Sequence, residues 1–235
     1  MIDLRVVLVE PIYCGNIGSV ARAMKNFGFQ DLVLVSPCEL ESEAYAMASH
    51  AVDVLEGARR VNTIREAVCD SALVIGTTSK IGTNTGEHMR LPYFSPKELK
   101  DKLNEREGRV AILFGREDIG LVNDLIKRCD MVVYIPTDSN YPVMNLSHAV
   151  SVILYELSDI VAGSGSIPLV KKENIERLYD HCEHLLSEIN YPRHKKNKTL
   201  LMIRRILGRA ELTGREVNTL RGILSRTEWK INRDR

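Results

Sequence analysis

Short aliphatic runs alternate along the chain with longer stretches in which apolar residues recur every three or four positions. The runs cover residues 4–9, 32–35, 72–75, 110–114 and 131–135, and each has the length and β-branched content of a strand buried on both faces. Between them, residues 17–27, 96–106, 122–128 and 146–160 carry helical periodicity, the first closed by Gly28. Strands alternating with helices predict an α/β domain, a mostly parallel sheet covered by helices on both faces.

The pattern changes after residue 160. A stretch rich in Gly and Ser cannot build regular structure and predicts a linker at 164–169, between a domain at 1–163 and a second unit at 170–235. In that unit residues 173–189, 200–207 and 215–229 have helical periodicity, and 192–198 reads as a basic break between helices. The expectation is a small helical C-terminal domain.

Charge sharpens this division. The net charge of +1 conceals 16 Lys and Arg against 22 Asp and Glu in residues 1–165, and 16 against 9 in residues 166–235, so the two parts carry −6 and +7. A basic tail on a mildly acidic domain points to an anionic partner, most simply nucleic acid. No stretch approaches the roughly 20 apolar residues of a membrane span, and Asp3 stands where a targeting segment would carry basic residues. A cytoplasmic protein with no membrane partner is expected. Cys14, Cys38, Cys69, Cys129 and Cys182 are scattered and never form a C-x-x-C pair, which predicts reduced thiols. His181 and His184 flank Cys182, but two further ligands at sensible spacing are missing, so they read as a polar helix face and no metal is expected.

In an open α/β sheet, ligands bind beyond the carboxyl ends of the strands. The loops there are residues 10–19, 76–80, 115–120 and 136–145, all polar and most containing Gly. None is a G-x-G-x-x-G or G-x-x-x-x-G-K-[ST] phosphate loop, which argues against a dinucleotide oxidoreductase or an NTPase. No G-x-S-x-G nucleophile elbow is present either. Cys14 lies near a helix start that would favour its thiolate, yet no histidine is close in sequence to activate it.

Three segments together carry a resemblance: Asn16-Ile-Gly-Ser-Val-Ala-Arg22, Leu113-Phe-Gly-Arg-Glu-Asp-Ile-Gly-Leu121, and residues 135–145 running into the helix that follows. In this order and spacing they resemble the SPOUT methyltransferases, specifically the SpoU branch that methylates ribose 2′-hydroxyls. The start of the chain and the basic tail, with Arg204-Arg-Ile-Leu-Gly-Arg209, are most similar to the TrmJ group of that branch, which acts on position 32 of the tRNA anticodon loop.

The resemblance implies a C-terminal trefoil knot that forms a site for S-adenosyl-L-methionine (AdoMet), and a homodimer with active sites at the subunit interface. By motif position the cofactor loops are Thr77, Thr78 and Ser79, then Gly115, Ile135, and Pro142, Val143 and Met144. Arg22 is implied as the catalytic residue. A guanidinium stays protonated at neutral pH and is a poor base, so stabilisation of a developing alkoxide is its favoured role; the alternative is a surface arginine on a helix. Asn16 either simply caps or adjoins its helix start, or holds Arg22 or an RNA phosphate. Glu117 either orients Arg22 across the dimer or is an exposed loop carboxylate, and Asn145 matches the third motif's asparagine.

One departure stands out. Many relatives have Ser-Leu-Asn where this chain has Val143-Met144-Asn145, so a hydroxyl is missing; Ser147 is expected on a different part of the helix. Tyr141 and His148 near this motif are either base-stacking or packing residues. Arg193, Lys195, Lys196, Lys198, Arg204, Arg205 and Arg209 form the expected phosphate-contacting surface for tRNA, or else a merely solvated basic face. Alternatives to the position-32 activity are 2′-O-methylation of another tRNA or rRNA nucleotide, and a non-catalytic RNA-binding module on the same fold.

Overall fold

The computed structural model describes residues 2–79, 93–104, 106–160, 167–168 and 170–233. Strands β1 (Ile2–Val9), β2 (Asp31–Val35), β4 (Leu73–Thr78), β6 (Arg106–Phe114) and β7 (Met131–Tyr134) correspond to the five aliphatic runs. Three short strands were not expected: β3 (Arg59–Val61), β5 (Tyr93–Phe94) and β8 (Ile167–Pro168). The sheet order is β3-β2-β1-β6-β4-β7-β5, with β8 beside the start of β6. Every pairing between these strands is parallel.

Successive side chains of a strand point to opposite faces, and the core divides accordingly. On one face Leu4, Val6, Leu8, Leu32, Leu34, Ile75, Ile112 and Phe114 pack under helices α1 (Cys14–Asn26), α2 (Ser42–Ala48), α3 (Val52–Glu56), α5 (Pro96–Leu103) and α7 (Leu146–Leu157). On the other, Val7, Val33, Val35, Val74, Ala111, Leu113 and Val132 pack under α4 (Ile64–Val68) and α6 (Asn123–Arg128). The helix expected to reach residue 106 stops at Leu103, and Arg106 already opens β6, where it pairs with Glu211.

The tail consists of α8 (Lys172–Glu188), α9 (Arg193–Ala210) and α10 (Gly214–Arg233), around its own core of Val170, Ile175, Leu178, Tyr179, Leu212 and Val217. The expected basic break at 192–198 is a correction: Arg193 opens α9, and the interruption is Ile189 to Pro192, with Asn190 at φ 52°. Pro192 ends one helix and presets the entry to the next, whereas the lysines after it are ordinary helix formers. The linker expected at 164–169 lies outside the described residues except for Ile167–Pro168, which pairs with Arg106 and Glu107 as β8.

The tail docks at the amino ends of β4 and β7 through buried charge. Asp130, 1% exposed, accepts from the Val74 amide at 2.9 Å and from Lys172 Nζ at 2.7 Å. Lys172 also reaches Glu176 at 3.1 Å, and Arg204 grips Glu176 with two bonds of 2.6 and 2.7 Å while lying over the Tyr179 ring. Arg205 donates to the Ile126 carbonyl at 3.1 Å. Gly208 lets α9 approach this point, since a Cβ there would press on Asp130. Burial pushes the Glu176 carboxyl up, but the Arg204 hydrogen bonds and the Lys172 charge outweigh it and hold the pKa at about 2.

Candidate active site at the carboxyl edge of the sheet

The opposite, carboxyl edge gathers the loops that follow β1, β4, β6 and β7. Between three of them lies a cavity of about 420 Å³, within the range of small-molecule sites. Thr77, Thr78, Ser79, Gly115, Ile135, Pro142, Val143 and Met144 all line it, together with Arg116, Glu117, Leu121, Leu146 and Ala149. The eight residues assigned to cofactor loops by resemblance are therefore brought to one place.

The glycines of the motifs have steric reasons. A Cβ at Gly18 would overlap the Ala44 carbonyl, so this glycine lets α1 lie directly against α2. At Gly115 a Cβ would overlap the backbone of Gly120 and Leu121, because the loop folds back through a hydrogen bond of 2.8 Å from the Gly120 N–H to the Arg116 carbonyl. Gly120 turns that loop at φ +67°. Within it Arg116 clasps Asp118 at 3.0 and 2.7 Å, a hydrogen-bonded pair that raises the arginine's pKa and lowers the aspartate's.

A hydrogen-bonded relay joins the three motif segments. Glu117 Oε1 accepts from Asn16 Nδ2 at 3.0 Å, and Glu117 Oε2 accepts from the Ile12 amide at 3.0 Å. Asn16 Oδ1 in turn accepts from Asn145 Nδ2 at 3.0 Å. Asn145 caps α7, its Oδ1 accepting from the Ser147 amide at 2.9 Å and the Ser147 hydroxyl at 2.7 Å. Each amide thus has its orientation set by both neighbours, an arrangement that holds side chains still before any ligand arrives.

Several expectations are corrected here. Asn16 adjoins the start of α1 rather than capping it: the cap is Tyr13, and Asn16 lies in the first turn with its side chain on Glu117 and Asn145. Within one chain neither Asn16 nor Glu117 touches Arg22, which is exposed on α1 and makes no hydrogen bond or ion pair among the described residues; the contact expected of Glu117 is one between two copies. Eight positions beyond Cys14, it lies about 12 Å further along the helix axis. Ser147 belongs to the relay, and only its offset from Asn145 as an N-cap pair could have signalled that. Ile12, through its backbone, and the Arg116 clasp were missed outright.

Tyr141 is 82% exposed at the tip of the 136–145 loop, and His148 is exposed as well. In the tail Arg193, Lys195, Lys198 and Arg209 are exposed, while Lys196 is held by Glu183 and Ser187 at 3.1 and 2.9 Å. Arg204 and Arg205 are corrected from surface to interior: the first is committed to Glu176 and the second is 2% exposed against Ile126. His181 and His184 share Glu228 of α10, each at 3.0 Å.

A ligand-sized cavity on a parallel sheet, lined by two of the motifs and braced by the third through hydrogen bonds, defines a methyltransferase of the class that those motifs resemble. The chain belongs to the SpoU rRNA Methylase family, which matches residues 3–155. Residues 173–235 match the C-terminal domain of the tRNA methyltransferase TrmJ. The tRNA (cytidine-2′-O-)-methyltransferase TrmJ of Methanocaldococcus jannaschii is 40% identical over 226 residues, covering 94% of this chain and 97% of that protein. The tRNA (cytidine/uridine/adenosine-2′-O-)-methyltransferase TrmJ of Pseudomonas aeruginosa is 36% identical, covering 97% of this chain and 95% of its own length. The crystal structure of TrmJ from Z. mobilis ZM4 superposes with a TM-score of 0.79 at 33% identity, covering 95% of this chain and 98% of that one. No helix among the described residues is long and apolar enough to cross a membrane.

Proposed function

We propose that the protein transfers the methyl group of AdoMet to a ribose 2′-hydroxyl of tRNA, at position 32 of the anticodon loop. The observation that carries this reading is the relay from Glu117 through Asn16 and Asn145 to Ser147, which ties the three motifs around one cavity of cofactor size. The near full-length likeness to tRNA 2′-O-methyltransferases of the TrmJ group supports it.

The cavity fits AdoMet by its chemistry. Ile135, Pro142, Val143, Met144 and Leu121 offer apolar walls, and the backbone at the ends of β4, β6 and β7 offers amides and carbonyls to the adenine and methionine portions. Bound there, the cofactor supplies an electrophilic methyl group on a sulfonium. The chain's own residues orient and polarise: the Glu117–Asn16–Asn145 relay fixes the cavity rim, and a guanidinium stabilises charge developing on the ribose oxygen.

That guanidinium is Arg22 of a second copy. Its side chain is exposed and outside its own cavity, so a homodimer is the arrangement in which it serves the reaction. The knot implied by the family would lie in the segments 115–121 and 135–145 that line the cavity. The tail, as a unit from about residue 170, binds the body of the tRNA through Arg193, Lys195, Lys198 and Arg209. Free thiols and a tRNA substrate accord with a cytoplasmic location.

Incubation with methyl-labelled AdoMet and unmodified tRNA, followed by nucleotide mapping, tests the proposal. Label on the ribose of nucleotide 32 is expected; label on another nucleotide would move the position, and none on tRNA would refute the activity.

A further inference from the structure

Helix α10 turns two different faces to its surroundings. Val217, Leu220 and Leu224 pack inward with α8, and on the same side Glu228 binds His181 and His184. On the opposite face Arg215, Gly222, Arg226, Trp229 and Arg233 follow one another at intervals of seven, four, three and four residues, which is one stripe of an α-helix. The stripe is about 27 Å long.

Trp229, the chain's one tryptophan, is 46% exposed there. The guanidinium carbons of Arg226 and Arg233 lie 4.4 and 5.2 Å from its ring centroid. Arg215, Arg226 and Arg233 make no ion pair among the described residues, so their charge is not spent within the protein. The acidic residues of the helix are committed elsewhere, Glu216 to Thr213 and Glu228 to the two histidines.

Gly222 adds an independent observation. It lies inside a 20-residue helix, where glycine is the poorest helix former after proline, and a Cβ at this position would meet nothing within 4 Å. No contact among the described residues requires it. On the arginine and tryptophan stripe, its bare backbone leaves room for a partner to come close.

We infer that this face of α10 contacts RNA, with an unpaired tRNA base stacked on Trp229 and Arg215, Arg226 and Arg233 against the neighbouring phosphates; the inference rests on the tRNA substrate proposed above. Cations alternating with an aromatic ring suit single-stranded nucleic acid, because stacking accepts any base while the charges follow the backbone. A lipid surface would need a continuous apolar face, and this stripe has one ring. An incoming base takes a face of the indole or of a guanidinium already lying on it, and a displaced guanidinium then has a phosphate to meet.

The single tryptophan makes the site directly observable. Titration of the intact protein with unmodified tRNA should quench its emission, with saturation at the concentration where filter retention saturates. Trp229→Phe should keep most of the tRNA affinity, Trp229→Ala should lose about tenfold, equivalent to about 1.4 kcal/mol, and Gly222→Leu should lose several fold although it favours the helix. Retention of tRNA without a change in emission, or unchanged affinity in Trp229→Ala, would overturn the surface and leave the methyl transfer standing. Equal quenching by polyglutamate would assign the face to an acidic protein instead. Failure of tRNA to bind at all would overturn the surface and the tRNA reading together.

Discussion

The two ends of the sheet carry polar clusters of different composition that serve opposite purposes. At the amino edge the buried Asp130, Lys172 and Arg205, with the partly buried Glu176 and Arg204, are charged groups each answered by another charge or a backbone group. At the carboxyl edge Asn16, Glu117, Asn145 and Ser147 form a largely neutral relay, half exposed and bordering a cavity. Buried charge gives the first edge a fixed docking geometry that is costly to break. The second keeps its polar groups ordered yet within reach of a ligand, as a catalytic rim requires.

The contrast predicts a graded set of effects. Asp130→Ala leaves Lys172 buried without its main partner, and should destabilise the tail by about 3–5 kcal/mol, read as early exchange of α8 and α9 amides, while AdoMet binding persists. Arg22→Ala should lower turnover by about 10²- to 10³-fold, the scale of a lost oxyanion donor, with cofactor affinity within a few fold. Arg22→Lys should restore little of it, because a point charge does not replace the planar fork; full activity in Arg22→Ala would remove this residue from the chemistry.

Smaller effects separate positioning from stability. Asn16→Ala should cut turnover by about a hundredfold through a displacement near 1 Å, yet cost only about 1 kcal/mol of stability, a split that a purely structural residue would not show. Acid should loosen the amino edge. The Glu176 carboxyl is held at about 2, below its ordinary 4.5, so its contribution is complete above the ordinary value and is lost as pH falls through about 2. Chemical-shift changes in α8 and α9 below pH 4 would bear this out.

The sheet was legible because its strands are continuous aliphatic runs, as in Leu4, Val6, Val7 and Leu8. β3 was not, since Arg59 and Arg60 on an edge strand carry no such signal, and β5 and β8 are two residues each. Burial misled in the tail. Arg204 and Arg205 read as surface charge, because the partners that take them inside, Glu176 and Ile126, are brought there only by tertiary packing. The relay was out of reach of any local pattern: Asn16 lies 101 residues from Glu117 and 129 from Asn145. Only the likeness of the motifs to a known family pointed to it.

A crystal structure of the protein with the demethylated cofactor, S-adenosyl-L-homocysteine, tests the central claim most directly. Density for it among Thr77–Ser79, Gly115 and Ile135–Met144, with a neighbouring copy's Arg22 facing its sulfur, is the predicted result. Density elsewhere on the chain, or an Arg22 remote from every bound molecule, would contradict the account.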